Sequence, residues 1–312
     1  MNIQQLEYLL ALRKYRHFVK AAEECGVTQP TLSAMIAKLE DELGVKLLDR
    51  STQPLSLSRI GERVADQAVK VLHNIRGIEG IAAEEKDEVS GTVTIGILPT
   101  IAPFLLPILL PICRKNMGNI DIRFVELTTS LCEEGIKDGS VDLAIIAGDL
   151  RGDKLITRTL YYEEFIGYVS RNESLFASSF IRSSEIDPQA LWLLDEGHCF
   201  RNQLIRFCDF KKTHPKRINF TLGGIETYMR LVEAGHGITF VPELAINTLN
   251  DKQKELLRRF AIPRPVRPVM LAYHPTYVRC KVIEHISELI LKAVPEKMHT
   301  IHRDQTLANK FK

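Results

Sequence analysis

Apolar positions along the chain change their period twice. In residues 1–58 they keep helical spacing. Leu6, Leu9 and Leu10 form one stripe, Phe18, Ala21 and Ala22 begin a second, and Leu32, Ile36, Leu39 and Leu43 make a third; intervals of three and four mark one face of a helix. Cys25-Gly26-Val27 breaks the second stripe from the third. Thr28 is suited to cap the next helix, and Pro30 is tolerated in its first turn, where a missing N–H has no intrahelical partner to lose. Gly44 ends that helix. Residues 45–58 alternate and contain Pro54, as a short hairpin wing does. From 59 to 88 the pattern narrows. Val64, Ala68, Val71, Ile75, Ile78 and Ala82 recur in steps of four and three, which is a heptad seam. So narrow a seam predicts either a matching helix in a second copy of the chain or packing against its own domain. Glu84-Glu85-Lys86-Asp87-Glu88, then Ser90-Gly91, reads as a helix end and linker.

Beyond residue 91 short apolar runs alternate with helical stretches. Strands are predicted at Val93–Ile97, Ile120–Leu127, Val141–Ala147, Phe165–Ser170, Ile218–Leu222, Ile238–Val241 and Val269–Tyr273. Helices are predicted at 102–115, Leu131–Asp138, Ile225–Ala234 and Val278–Val294. Continuous apolar strands between helices indicate a parallel sheet covered on both faces. The polar tail from Glu296 reads as frayed. The fold class is therefore α/β behind an all-helical head, with length enough for two α/β lobes.

Composition narrows the function classes. The 312 residues carry a formal charge of +2, 45% hydrophobic and 26% charged residues, ordinary values for a globular chain and not for a disordered one. The longest apolar stretch, Ile101–Cys113, is too short and too rich in proline to cross a membrane. The first residues lack the basic-then-apolar run of a secretory signal, so the chain reads as cytoplasmic. Its six cysteines then read as free thiols. No CxxC or HxxxH pair supports a metal site from His198, Cys199, Cys208 and His214, and no cofactor is implied. His236 reads as a loop residue. Cys25, Cys113, Cys132 and Cys280 sit in helical or apolar patterns and read as inert.

A helix, a tight turn and a second helix within residues 18–43 form a helix-turn-helix pattern. Gln29, Pro30, Thr31 and Ser33 open the second helix, where short polar side chains meet base edges and free N–H groups meet a phosphate. Residues 1–58 carry seven Lys/Arg against seven Asp/Glu. DNA binding thus requires Lys38, Lys46, Arg50 and Arg59 to gather on one face. A helical bundle with no such role is the other reading. Phe18-x-x-Ala21-Ala22, Thr28-Gln29-Pro30-Thr31-Leu32-Ser33, Ile36-x-x-Leu39-Glu40 and Leu43-Gly44-x-x-Leu47-Leu48-x-Arg50 together resemble the LysR-type transcriptional regulator signature, with its spacing intact. At Ser58-Arg59-Ile60-Gly61 the family usually has Thr-x-Ala-Gly. The resemblance implies a winged helix-turn-helix (1–58), a linker helix (59–90) that dimerises through Val64, Ala68, Val71, Ile75 and Ile78, and a two-lobed effector domain of periplasmic-binding-protein type (91–312). Lobe I would hold about 91–162 and 269–300, and lobe II about 163–268. Implied partners are double-stranded DNA, further copies of the chain up to a homotetramer, and RNA polymerase.

Within that family, Gly197-His198-Cys199-Phe200-Arg201-Asn202-Gln203, with Cys208 nine residues after Cys199, is similar to the peroxide-sensing members. Leu98-Pro99-Thr100, Thr129, Gly235-x-Gly237-Ile238-Thr239 and Pro242 add to the match. The resemblance implies that Cys199 attacks hydrogen peroxide and Cys208 closes a disulfide with it. It implies that Thr100, Thr129 and His198 hold the peroxide with Cys199, and that Arg267 favours the thiolate. Asn202 stands where those members commonly have aspartate. The chemistry is coherent without the resemblance. A thiolate is the nucleophile, and cationic or donor neighbours such as His198 and Arg201 favour it. Attack on the O–O bond gives a sulfenic acid. Arg201–Phe210 reads as helical, and nine residues of helix span about 13.5 Å, whereas a disulfide needs Cα atoms within about 7 Å. Closing the bond therefore requires unwinding, offset by roughly 2.5–3 kcal/mol of chain entropy. Two other functions remain open at this point: a regulator answering a small organic effector between its lobes, with Thr100 and Thr129 contacting a carboxylate, and a thiol peroxidase joined to a DNA-binding head.

Overall fold

The structure, a computed structural model, describes residues 1–49, 54–85, 90–116, 118–148, 155–194, 199–208 and 224–308. The chain divides into two units, one chiefly Met1–Asp87 and the other Glu88–Ile136 with Val141–Lys312.

In the first unit, local capping sets the helices. Asn2 and Gln5 exchange side-chain and backbone hydrogen bonds at the start of α1 (Ile3–Tyr15), a capping box that satisfies two otherwise orphaned N–H groups. α2 (Phe18–Glu24) follows. α3 (Gln29–Leu43) starts at Thr28, whose Oγ1 accepts from Thr31 N, and ends at Gly44. Leu9, Leu12, Leu32, Ile36 and Leu39 are fully buried together. Leu43, grouped with that stripe by spacing, is left exposed. β1 (Leu48–Asp49) and β2 (Ser56–Leu57) pair antiparallel as the wing. Glu40, buried in α3, accepts from the wing's Leu47 and Leu48 N–H groups at 2.7 and 3.2 Å. Ser58, at the family departure, starts α4 (Arg59–Glu85) by accepting from Gly61 N–H at 3.0 Å. A Cβ on Gly61 would lie 2.0 Å from Leu47 O, so glycine there lets the wing backbone pass.

The second unit contains β3 (Ser90–Ile97), α5 (Ala102–Asn116), β4 (Asn119–Glu126), α6 (Thr129–Asp138), β5 (Leu143–Ala147), β6 (Ile156–Val169), β7 (Phe180–Ile181), α7 (Cys199–Phe207), α8 (Ile225–Glu233), β8 (Ile238–Pro242), α9 (Asp251–Lys254), β9 (Leu257–Phe260), β10 (Arg264–Tyr273), α10 (Cys280–Ala293) and β11 (Gln305–Leu307). Among the described residues these strands form one nine-stranded sheet in the order β4-β3-β5-β10-β6-β9-β7, with β11 on β10 and β8 on β6. α10 buries Val282, Ile283, Ile286, Leu289 and Ile290, each stabilising by about 1.5–3 kcal/mol.

Three expectations need correction. The sheet is mixed: β3 pairs parallel with β4 and β5, but β10 pairs antiparallel with β5 and β6. The strand predicted at Phe165–Ser170 is the second half of the longer β6. The first half pairs with β10 and the second with β8 and β9, so one strand serves both halves of the sheet. Residues 296–308 of the tail are ordered rather than frayed. Glu296–Met298 forms a 3-10 turn, β11 joins β10, and Met298 and Ala308 are buried. Polar contacts hold it: Lys297 with Glu243 at 2.8 Å, Gln305 with Glu164 at 2.8 Å, and Asp304 with Arg264. The strand expected at 218–222 lies outside the described residues.

Candidate functional site

The parallel strands end where the candidate residues begin. Thr100 follows β3, Thr129 opens α6 just after β4, and Gly148 follows β5. In the order β4-β3-β5 the chain crosses from one side of β3 to the other, and such switch points open a crevice at the carboxyl ends of the strands. α7 brings Cys199 there. Gly148 has φ +104°, and a Cβ on it would lie 2.7 Å from Gln203 Nε2 and 3.5 Å from Cys199 Cβ. Glycine at this position therefore lets the end of β5 lie against the first turn of α7.

Cys199 is partly exposed as a residue, but its sulfur is enclosed by protein. Burial raises the thiol pKa. The Arg267 guanidinium, the Thr129 hydroxyl and the N–H groups of Phe200 and Ala147 oppose this without cancelling it. The thiol is thus not a ready-made thiolate, though Arg267 acts in the expected direction. Arg201, expected to help, instead donates to Leu194 O at 3.4 Å. The Thr129 hydroxyl is buried with no conventional hydrogen-bond partner, which leaves it available to the sulfur. Thr100 is buried, and its Oγ1 and O each accept from Arg267 at 3.1 Å. Arg267 is 0% exposed. Its Nε and Nη2 donate to Glu163 Oε2 at 2.8 and 2.5 Å, and the Phe200 ring covers it at 4.7 Å.

Cys208 directly follows α7, with its N–H bonded to Leu204 O at 2.9 Å. It is buried, and burial pushes its thiol up to about 12. Both cysteines are free. The structure thus gathers Thr100, Thr129, Cys199 and Arg267, and sets Cys208 at the other end of the helix. His198 lies outside the described residues. Sequence reasoning missed Glu163 and Gly148, and it quoted Phe200 and Gln203 only as parts of the Cys199 motif, without a role. Nothing local in the sequence signals that Glu163 faces Arg267. Of the other cysteines, Cys113 and Cys132 are buried, Cys25 is half-buried, and Cys280 is exposed at the start of α10.

In the first unit, Gln29, Pro30, Thr31 and Lys38 are exposed on α3 and Ser33 is half-buried. Lys46, Arg59 and Arg63 line a shared surface cavity, so part of the expected basic face is gathered; Arg50 lies outside the described residues. The heptad seam divides. Val64 packs against the head's own core and Ala68 is buried, while Val71 and Ile78 are exposed at 43% and 68% and Ile75 is half-buried.

Residues 3–62 match the bacterial regulatory helix-turn-helix protein family of lysR type, and residues 86–295 match the LysR substrate binding domain. The hydrogen peroxide-inducible genes activator of Haemophilus influenzae is 34% identical, with the match covering 88% of this chain and 91% of that one. A crystal structure of OxyR from Porphyromonas gingivalis is 47% identical, covers 70% of this chain and 99% of that one, and has a TM-score of 0.67. A full-length OxyR mutant from Pseudomonas aeruginosa is 30% identical, covers 98% of each chain, and has a TM-score of 0.74. With a winged helix-turn-helix at one end, an α/β effector unit at the other and OxyR proteins among its relatives along nearly its whole length, the chain belongs to the LysR family of bacterial transcription regulators, in its OxyR branch.

Proposed function

We propose that the protein is a hydrogen-peroxide-responsive transcription activator whose switch is a disulfide between Cys199 and Cys208. The observation that carries this reading is the placement of two free thiols at opposite ends of one helix. The Cys199 thiolate attacks one peroxide oxygen, the O–O bond breaks, and the departing hydroxide takes up a proton, giving Cys199 sulfenic acid and water. The Cys208 thiolate then attacks that sulfur, and a second water leaves as the disulfide forms. Cys208 is held protonated by burial and stands about 13.5 Å along the helix from Cys199, so the second step demands that α7 unwind. Unwinding supplies the conformational signal. Thr100, Thr129 and His198 hold the peroxide, and Arg267 supports the thiolate. The peroxide-responsive relatives and the enclosed, donor-lined Cys199 sulfur support peroxide as the oxidant.

For output, Gln29, Pro30, Thr31, Ser33, Lys38 and Arg50 meet DNA. The exposed Val71 and Ile78, with Ile75 and the flanking Val64 and Ala68, join two heads so that half-sites lie about one helical turn apart or a multiple of it. A second two-fold interface on the effector unit makes a homotetramer. As an activator in the cytoplasm, the assembly contacts RNA polymerase. The test is a non-reducing peptide map after one equivalent of hydrogen peroxide, with hydrogen exchange across 199–208. The expected result is a Cys199–Cys208 linked peptide and lost protection in α7. A linked peptide with unchanged protection would sink the mechanism. Unlinked thiols with a normal response to an organic ligand would favour the effector-binding alternative.

A further inference from the structure

The Arg267 guanidinium acts on two acids, and the thiol is only one of them. β6 and β10 run antiparallel with Glu163 directly opposite Arg267, so both side chains leave the sheet on one face as neighbours. Two donors of Arg267 converge on Glu163 Oε2 and two on Thr100. Phe200 closes the remaining face, and neither charged side chain is more than 2% exposed. An arginine keeps its proton at any working pH, so Glu163 is its counter-ion. Little water is present to screen either charge. The carboxylate therefore cancels part of the field that Arg267 exerts on the Cys199 sulfur. The cancellation is partial, because Arg267 still favours the Cys199 thiolate.

We infer that Glu163 is a positioning residue that restrains Cys199: it holds Arg267 against Thr100 and withholds part of its charge from the thiol. The inference rests on Cys199 being the reactive thiol. Other groups face the same centre. Glu243 adds negative charge beside Glu163, the Tyr161 hydroxyl is buried without a partner, and Cys132 and the Thr129 hydroxyl flank the sulfur. A substitution at 163 keeps all four groups, though it also removes the repulsion that Glu163 exerts on Tyr161 and Glu243.

The test follows alkylation of Cys199 by iodoacetamide, read by mass across a pH series, in the full-length chain and in its Glu163→Gln, Glu163→Asp and Glu163→Gln/Arg267→Met variants. Glu163→Gln should move the profile to lower pH and speed alkylation at neutral pH at least about threefold, a shift of roughly half a pKa unit. Glu163→Asp, which keeps the charge, should restore the parent profile. A Glu163→Gln profile that is unchanged or moved to higher pH would overturn the inference. If the lone Arg267 unfolds that variant, the double variant decides, since it leaves no buried charge unpaired. Opposed charges predict that the double slows Cys199 by less than about threefold, whereas an unopposed Arg267 predicts about tenfold or more. Disulfide formation by the parent chain under peroxide is scored separately. Its absence would remove the proposed function, while the alkylation profiles would still decide the role of Glu163.

Discussion

Glu40 and Glu163 are both buried to 2% exposure, one in each unit, yet their carboxyl groups are displaced in opposite directions. Burial raises both. At Glu40 the N–H groups of Leu48 and Leu47 and the Lys46 ammonium more than offset it, and the pKa lies below the usual value. At Glu163 the Arg267 guanidinium and the Leu244 N–H fall short, with Glu243 adding repulsion, and the pKa lies above it. Equal exposure hides unequal depth: Glu163 is enclosed by protein on all sides and Glu40 lies near the surface, so desolvation is larger at Glu163. Backbone donors carry no net charge to desolvate, and the Lys46 side chain is 74% exposed, whereas Arg267 is buried completely. A carboxylate held by peptide N–H groups is an anchor for the wing. A carboxylate held by a buried arginine is part of an electrostatic balance, and such balances gather where chemistry is done.

The largest effect should come from removing Arg267. Arg267→Met leaves Glu163 buried and unpaired, at an expected loss of about 3–5 kcal/mol. Urea unfolding followed by the fluorescence of Trp192, the sole tryptophan, reads it; a loss under about 1 kcal/mol would mean the pair carries no tension. Next, Glu40→Ala strips the acceptor from Leu47 and Leu48 and should cost the head about 2–3 kcal/mol, read as faster hydrogen exchange at those two amides. Unchanged exchange there would show that the wing is held by other contacts.

The smallest effect is the pH dependence, and its two signs are opposed. Glu40 has a depressed folded pKa, so its contribution is complete above the unfolded value near 4.5 and is lost as pH falls through the folded value. Glu163 has a raised folded pKa, so the folded state binds its proton more tightly than the unfolded state does. Its unit should lose stability as pH rises from near 4.5 through the folded value. Exchange at Leu47 and Leu48 should therefore quicken only as pH falls below about 4.5, whereas stability read at Trp192 should fall as pH rises above it, and Glu163→Gln should abolish the second slope only. Parallel trends would erase the distinction between the two acids.

The head was legible because each of its signals is local. Thr28, Pro30 and Gly44 bound α3, and Leu32, Ile36 and Leu39 repeat at the helix period. The central strands were legible as unbroken apolar runs. What escaped was held together at long range. The first half of β6, Ile156-Thr157-Arg158-Thr159, is exposed and reads as loop, yet β10 pairs with it residue by residue. β9 presents Arg258 and Arg259, whose partners Phe176 O, Glu164 and Glu243 lie far away in sequence. The tail lacks an apolar stripe because ion pairs and a ladder hold it. At the site, Cys199, Thr100, Thr129 and Arg267 came from motif likeness. Glu163 could not, since only the register of two distant strands sets it against Arg267.

β11 pairs with the first residues of β10, the strand that carries Arg267. During synthesis the head can fold as soon as it leaves the ribosome, and Cys199 emerges well before Arg267. Until β10 arrives, the thiol has neither its cation nor the counter-ion balance around it. Until 305–307 follow, β10 lacks its last neighbour. The nascent chain therefore carries an ordinary cysteine, and the environment that tunes it is assembled only after β10 has been made.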